Sequence, residues 1–434
     1  MISQRRWLAV VTLALATFMI SIDINIVALA LPPMAKYFHE PATSMPLVTF
    51  SYSIALVVFL LPVGQWITRF RPLTLFLIIS IGFSLSSVFC GLSQNFAMLL
   101  VGRVAQGICA AFITTTGTAL AAAIVAPTER GRAMGILGGI ATSGSVVGSA
   151  LGGFLVNYWG WSSVFFVNVP LCVVVVILGV WTLRTISRED AFGSGGSRNA
   201  VSAIGSLLRL PRFSYVLLCV CCFSLVIGAI YFLLPFDLSL IQHIPSSTAG
   251  LMLLSIPLMM TVFTLVGGTL SDRYGTKPIM LAGVLLIIGG IIAQALILEQ
   301  PTSVIDIVWR LLLTGCGVGL AAGAVQTLVV SLSPRQTLGL ASALSGVARY
   351  LGFAVGPLVV SAVWLLIIEV PAQMLYGSLA IVGVSFIGLI LAWLATRSVP
   401  APAMALSLEG GQQHSQSGAS LAEAVDASSS SQEA

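Results

Sequence analysis

Along the chain, long uninterrupted apolar runs alternate with short breaks of Gly, Pro and charged residues. A helix needs roughly 20 mostly apolar residues to cross a bilayer, and the runs are of that order or longer. They lack the two-residue alternation of a barrel strand, so the pattern predicts helices. Twelve spans are predicted, at 7–31, 45–67, 73–92, 97–122, 133–156, 162–183, 215–236, 248–270, 278–297, 305–332, 338–368 and 374–396. The first is not a cleaved signal peptide: it is too long, carries Asp23, and ends at Pro32-Pro33, which close the helix in place of a small-residue cleavage site.

Composition turns this pattern into a class. Of 434 residues 58% are hydrophobic and only 8% charged, too little charge to cover a soluble domain of this size, so the chain is expected to be an all-α integral membrane protein. An even number of spans puts both termini on one side. Arg5, Arg6, Arg69, Arg71, Arg130, Arg132, Arg184, Arg188, Arg198, Arg209, Arg212, Arg273, Lys277, Arg335 and Arg397 fall at the N-terminus and in alternate loops, whereas the opposite loops hold only Lys36. The positive-inside bias then makes both termini cytoplasmic. The net charge of +5 is therefore topology; the basic residues are dispersed and not interleaved with aromatics, so no nucleic-acid partner is expected.

Seven cysteines, Cys90, Cys109, Cys172, Cys219, Cys221, Cys222 and Cys316, lie inside predicted spans and read as small apolar packing residues. His39, His243 and His414 are scattered over two outer loops and the tail. No nucleophile or metal-ligand spacing appears, so neither an enzyme nor a cofactor is expected. From 398 the sequence turns rich in Ala, Ser, Gln and Glu, a composition that predicts a disordered cytoplasmic tail.

A long-period repeat organises the rest. Gly64 and Gly268 are 204 apart, and Arg103 and Arg310 are 207 apart. "GSVVGSALGG" at 144–153 and "GFAVGPLVV" at 352–360 keep both glycine pairs at an offset of 208. The chain thus divides into a six-helix half at 1–183, a polar, Gly/Ser-rich linker at 184–213, a second half at 214–397 and a tail at 398–434. Pseudo-symmetric helical halves of this kind form transporters with a midplane site between them, working by alternating access.

Several strings carry a resemblance. "GTLSDRYGTKP" at 268–278 resembles the loop signature of the major facilitator superfamily, with Asp272, Arg273, Gly275 and Lys277 in place. Its physics is that of a tight turn: Gly275 can adopt positive φ and Pro278 opens the next helix. The first-half copy, "GQWITRFRPL" at 64–73, has Thr68 in place of the aspartate, so a gating latch of the family's type would rest on the second half. "RVAQGICAA" at 103–111 is similar to the span-4 signature associated with proton coupling. The glycines Gly144, Gly148, Gly152 and Gly153 of span 5 resemble the antiporter signature, with Ser149 replacing the usual proline; glycines four apart also pack helices closely in any membrane protein. "SIDINIVALALP" at 21–32 and "WSSVFFVNVP" at 161–170 resemble strings of the second branch of drug:proton antiporters, here with twelve spans. The resemblance implies the major facilitator fold and an exporter.

Charged side chains at bilayer depth cost at least ~2.5–3.5 kcal/mol each on insertion scales, so they face a partner or a cavity. Four stand out: Asp23, Arg103, Arg310 and Arg349. Asp23 lies about 12 Å below the outer end of span 1 and Arg103 about 9 Å below that of span 4, so the two share a level and are expected to pair directly, through water or through Gln106. An acid so placed is a candidate proton carrier; the plainer alternative is a static pair locking span 1 to span 4. Arg310 either snorkels outward or meets Asp306 or Asp237 at the rim. Arg349, about 16 Å into span 11, suits an anionic or zwitterionic substrate group, or bonds to helix carbonyls. Further cavity candidates are Asn25, Gln106, Thr114, Tyr231, Gln326 and Tyr350.

Together with the buried charges, the resemblance implies an inner-membrane, proton-coupled exporter of drugs or other small organic molecules, acting as a monomer with the proton gradient as energy source. The alternative is a dedicated exporter of one metabolite, such as a siderophore or antibiotic.

Overall fold

The computed structural model describes residues 2–184, 186, 205, 207–296, 303–332, 338–367 and 369–396. Most of the 184–213 linker and all of the 398–434 tail lie outside the described residues. The described chain is helical, with twelve helices long and apolar enough to cross a membrane. Spans 1 to 5 are Ile2–Phe38, Pro46–Trp66, Pro72–Gly91, Phe96–Ile124 and Arg130–Trp159. Span 6 comprises Ser163–Phe166 and Asn168–Leu183, and span 7 is Pro211–Leu240. Span 8 comprises Ser246–Leu253 and Ser255–Tyr274, and spans 9 to 12 are Thr276–Ala295, Val304–Ser331, Leu338–Trp364 and Val370–Thr396. Outward-facing apolar side chains such as Ile78, Leu85, Val101 and Leu265 are more than 60% exposed, as a lipid-facing surface requires.

One boundary differs from the expectation in an instructive way. Span 1 does not close at Pro32-Pro33 but continues through both prolines to Phe38. Prolines forfeit two backbone donors yet keep a helical φ, and aromatic packing holds the extension. Phe38 packs on Phe96 and Trp161, with ring centroids 6.1 and 5.2 Å away.

The repeat is visible in packing. Gly144, Gly148 and Gly152 of span 5 lie against the backbone of span 1 at Phe18, Ile22 and Ile26. Gly352 and Gly356 of span 11 lie in the same way against span 7 at Cys221 and Leu225. Helix starts repeat as well: Asn95 Oδ1 accepts from Met98 N at 2.8 Å at the head of span 4, and Ser303 Oγ accepts from Asp306 N at 3.2 Å at the head of span 10. His39 and His243, just after spans 1 and 7, both take positive φ, 56° and 51°.

The two halves touch at the end away from the basic loops. Gly153 of span 5 meets Gly250 of span 8 backbone to backbone, and Ser361 Oγ of span 11 donates to the Thr43 carbonyl at 2.7 Å. Toward the basic end, Gly131, Gly135, Gly138 and Gly139 of span 5 and Gly268 of span 8 have nothing within 4 Å of where a Cβ would stand. Between spans 5 and 8 the halves therefore diverge toward the basic loops and leave a cleft open on that side, whereas between spans 2 and 11 Gly346 still meets Leu60.

Candidate functional site

Inside the first half, four helices converge on one carboxylate. Arg103 Nη1 donates to Asp23 Oδ2 at 2.7 Å, so the contact between spans 1 and 4 is direct. Asn168 Nδ2 of span 6 donates to Asp23 Oδ1 at 2.8 Å, and Gln106 Nε2 reaches the same oxygen at 3.3 Å. A second ring of contacts positions these donors. Arg103 Nη1 also donates to Gln106 Oε1 at 2.9 Å, its Nε to the Val48 carbonyl of span 2 at 3.2 Å, and its guanidinium stacks 4.3 Å above the Tyr52 ring. Ser87 of span 3 accepts from Gln106 at 2.6 Å and from Asn168 at 3.2 Å. Asp23, Arg103, Gln106 and Asn168 are all 0% exposed. The charges are thus paired and sealed from water. A buried pair of this kind is weak evidence for stability, because desolvation offsets attraction, but losing one member leaves an uncompensated charge.

Asn168, Ser87 and Tyr52 were not singled out from the sequence. The signal for Asn168 was available, since it sits in "WSSVFFVNVP" as the one amide of that string. For Ser87 and Tyr52 nothing distinguished them from other small-polar or aromatic residues of apolar helices.

The remaining candidates scatter. Gln106, expected in a substrate cavity, belongs to the sealed cluster. Asn25 is also turned away from the cleft: it lies on the face of span 1 that packs on Gly148, and its Nδ2 bonds the Ser21 carbonyl of its own helix at 2.7 Å. Tyr231 is 5% exposed and stands at the junction of the halves. With Ile24, Ala28, Thr49, Phe353 and Pro357 it lines a small cavity between the halves. Tyr350 packs against the core of the first half and faces Thr114. Gln326 is exposed near the basic end of span 10. Arg310 pairs with neither Asp306 nor Asp237 side chains; its Nη1 donates to the Asp306 backbone carbonyl at 2.8 Å and its guanidinium stacks 4.7 Å from Trp309.

Arg349 is exposed and forms no ion pair among the described residues. Its direction follows from its neighbours along span 11. Gly352 and Gly356 face span 7, whereas Gly346 faces Leu60 of span 2. At about 100° per residue Arg349 projects between those two faces. Leu351, Val355, Leu358 and Ala362, on the far side of the helix, form the partly exposed outer surface. Arg349 therefore points into the cleft, one turn from Phe353.

In the loop after span 8, Gly275 has φ 87° and ψ 152°, closed by its N–H to the Ser271 carbonyl at 3.0 Å. That backbone region is open essentially to glycine alone. Asp272, Arg273 and Lys277 are exposed, with the Arg273 guanidinium 5.5 Å from the Tyr274 ring.

A family model described as Major Facilitator Superfamily matches residues 13–357. The chain is 27% identical over 411 residues to multidrug resistance protein Stp of Mycobacterium tuberculosis (strain CDC 1551 / Oshkosh), covering 83% of this chain and 76% of that protein. It is 25% identical to a tetracenomycin C resistance and export protein of Streptomyces glaucescens, over 81% of this chain and 74% of that one. Among solved structures, a bacterial homolog of the human lysosomal transporter Spinster, inward-facing and unoccupied, superposes with a TM-score of 0.77 at 19% identity, covering 92% of this chain and 99% of that one.

Proposed function

The chain belongs to the Major Facilitator Superfamily, and from that premise we propose that this transporter exports small organic molecules in exchange for inward-moving protons, by alternating access. The observation that carries the reading is the sealed Asp23 carboxylate, held by Arg103, Gln106 and Asn168. A proton placed on Asp23 leaves Arg103 without its counter-charge inside a site closed to water, a state relieved only when the helices rearrange. That links the proton to conformation, which is what an exchanger needs. One charge moving inward through ~100 mV releases about 2.3 kcal/mol, enough to sustain roughly a fiftyfold substrate gradient.

The positive-inside bias puts the basic loops, and with them both termini, in the cytoplasm, so the cleft opens to the side from which an exporter loads. The names of the Mycobacterium and Streptomyces relatives support export. Asp272, Arg273, Gly275 and Lys277 form the turn that latches the cytoplasmic ends when they close, and a single chain in the bacterial inner membrane carries out the cycle with the proton gradient as its only energy source. A dedicated exporter of one endogenous metabolite is the second reading, favoured by Arg349, exposed and without an ion pair among the described residues. Proton-driven export is tested in inverted vesicles with wild type and Asp23→Asn. Loss of pH-driven uptake in the variant is expected; retained proton-driven transport would leave Asp23 a static lock.

A further inference from the structure

The geometry points to an anion subsite in the cleft, built on Arg349, that selects planar aromatic organic anions as substrates. This rests on the transporter reading and deepens it by naming the substrate class.

The argument begins with where the charges are. Asp23 would be the natural receptor for a cationic drug, yet it is 0% exposed and held by three donors, so in this conformation it offers nothing to the cleft. Asp237, near the outer end of span 7, is likewise 0% exposed. Arg103 is sealed with Asp23, and Arg310 is turned onto Trp309 and the Asp306 carbonyl. Among the described residues this leaves Arg349 as the charge at mid-membrane depth that faces the cleft, and no acid accompanies it. The cleft in its loading state is thus electropositive. A cation entering it meets repulsion and finds no counter-charge; an anion finds an unpaired guanidinium, whose planar fork suits carboxylates and other oxyanions.

The surroundings define the rest of the ligand. One turn beyond Arg349 lies Phe353, with the Tyr231 ring at 6.4 Å, and both line the small cavity between the halves. Next to Arg349 in sequence, Tyr350 extends toward the first half. Such rings offer flat apolar surface to an aromatic body. A polar contact is also waiting: Thr49 is 8% exposed, lines the same cavity, and its Oγ1 has no hydrogen-bond partner. A buried hydroxyl left unsatisfied costs free energy that a hydroxyl or carbonyl substituent on the ligand recovers. From the basic side inward, guanidinium, aromatic faces and an unpaired hydroxyl succeed one another in the order expected for an aromatic acid entering with its rings first.

The test is binding of two dyes of similar ring size and opposite charge, fluorescein and ethidium, to the purified full-length protein, followed by fluorescence anisotropy at neutral pH without a proton gradient. Because no gradient is present, the outcome is independent of whether Asp23 couples protons. Wild type is expected to bind fluorescein at least tenfold more tightly than ethidium. Arg349→Gln should weaken fluorescein binding at least tenfold and leave ethidium binding unchanged or stronger, and Arg349→Lys, which keeps the charge, should retain an intermediate preference. Monodisperse size-exclusion profiles and retained ethidium binding show that the variants are folded. Absence of fluorescein binding, equal affinity for the two dyes, or a fluorescein affinity insensitive to Arg349→Gln overturns the proposal.

Discussion

Gly153 of span 5 and Gly250 of span 8 meet so closely that a Cβ added to Gly153 would stand 2.8 Å from the Gly250 Cα, and one added to Gly250 would stand 2.9 Å from the Gly153 Cα. This contact crosses from one half of the molecule to the other, and it holds the end away from the basic loops shut. Any larger side chain at either position must push the halves apart there. Gly153→Leu is expected to shift the population toward the state closed at the basic end. Spin labels at positions 131 and 269 should then report a shorter distance than in the unsubstituted protein; an unchanged distance distribution would contradict the assignment of this contact as a closing point.

The sealed pair makes a prediction that separates fold from function. Arg103→Ala leaves Asp23 buried and uncompensated, and is expected to destabilise the protein by about 3–5 kcal/mol. The double variant Asp23→Asn/Arg103→Gln removes both charges and should recover most of that loss in thermal unfolding, while proton-driven transport stays absent. Recovery of transport along with stability would mean that the pair acts only as a brace.

Asn168 contributes one donor to Asp23 and one to Ser87. Asn168→Ala strips both from groups that water does not reach, and should lower stability by about 1–3 kcal/mol. Thermal unfolding of the purified protein beside Asn25→Ala provides the comparison, because Asn25 bonds only within its own helix and its loss should cost less.

Asp237 behaves differently from Asp23. Both its carboxyl oxygens and Gln294 Oε1 are buried, and among the described residues the Gln294 side chain is the polar group beside the carboxyl. Asp237→Asn supplies an amide donor beside that side chain, and is expected to leave the melting temperature unchanged or raise it, by up to about 1 kcal/mol of stability. A clear fall would show that the carboxyl has a partner in a conformation other than this one.

At Gly275 the backbone has φ 87° and ψ 152°. Gly275→Ala forces an L side chain into that region at a cost of order 1–3 kcal/mol. The measurable consequence is a reduced melting temperature together with slower transport, since the turn joins spans 8 and 9 at the end that opens.

The spans and their repeat were legible in the sequence because a bilayer leaves little freedom: apolar length and glycine spacing carry the information. The pairing of Asp23 with Arg103 was legible for a related reason, since two opposite charges at one depth have few other places to go. What could not be read was lateral direction. Whether Asn25 turns toward the cleft or toward span 5 depends on which face of span 1 meets Gly148, and whether Gln106 lines a cavity or joins a sealed cluster depends on Ser87 and Asn168, residues of two other helices. The run of span 1 through Pro32 and Pro33 was illegible for the opposite reason: local chemistry favoured a stop, and aromatic contacts with Phe96 and Trp161 prevailed.

The glycines that touch nothing have a consequence of their own. Gly135 lies 18 residues before Gly153 in span 5, and Gly268 lies 18 residues after Gly250 in span 8. Eighteen residues make five full helical turns, so within the unbroken helix of span 5 Gly135 faces the same way as Gly153. The two helices run antiparallel, so Gly135 and Gly268 lie at one end and the pair in contact, Gly153 and Gly250, at the other. A Cβ added at Gly135 meets no atom within 4 Å in the present state, so under the proposed alternating access a wedge set there would obstruct closure of the basic end while leaving the present cleft free to fill.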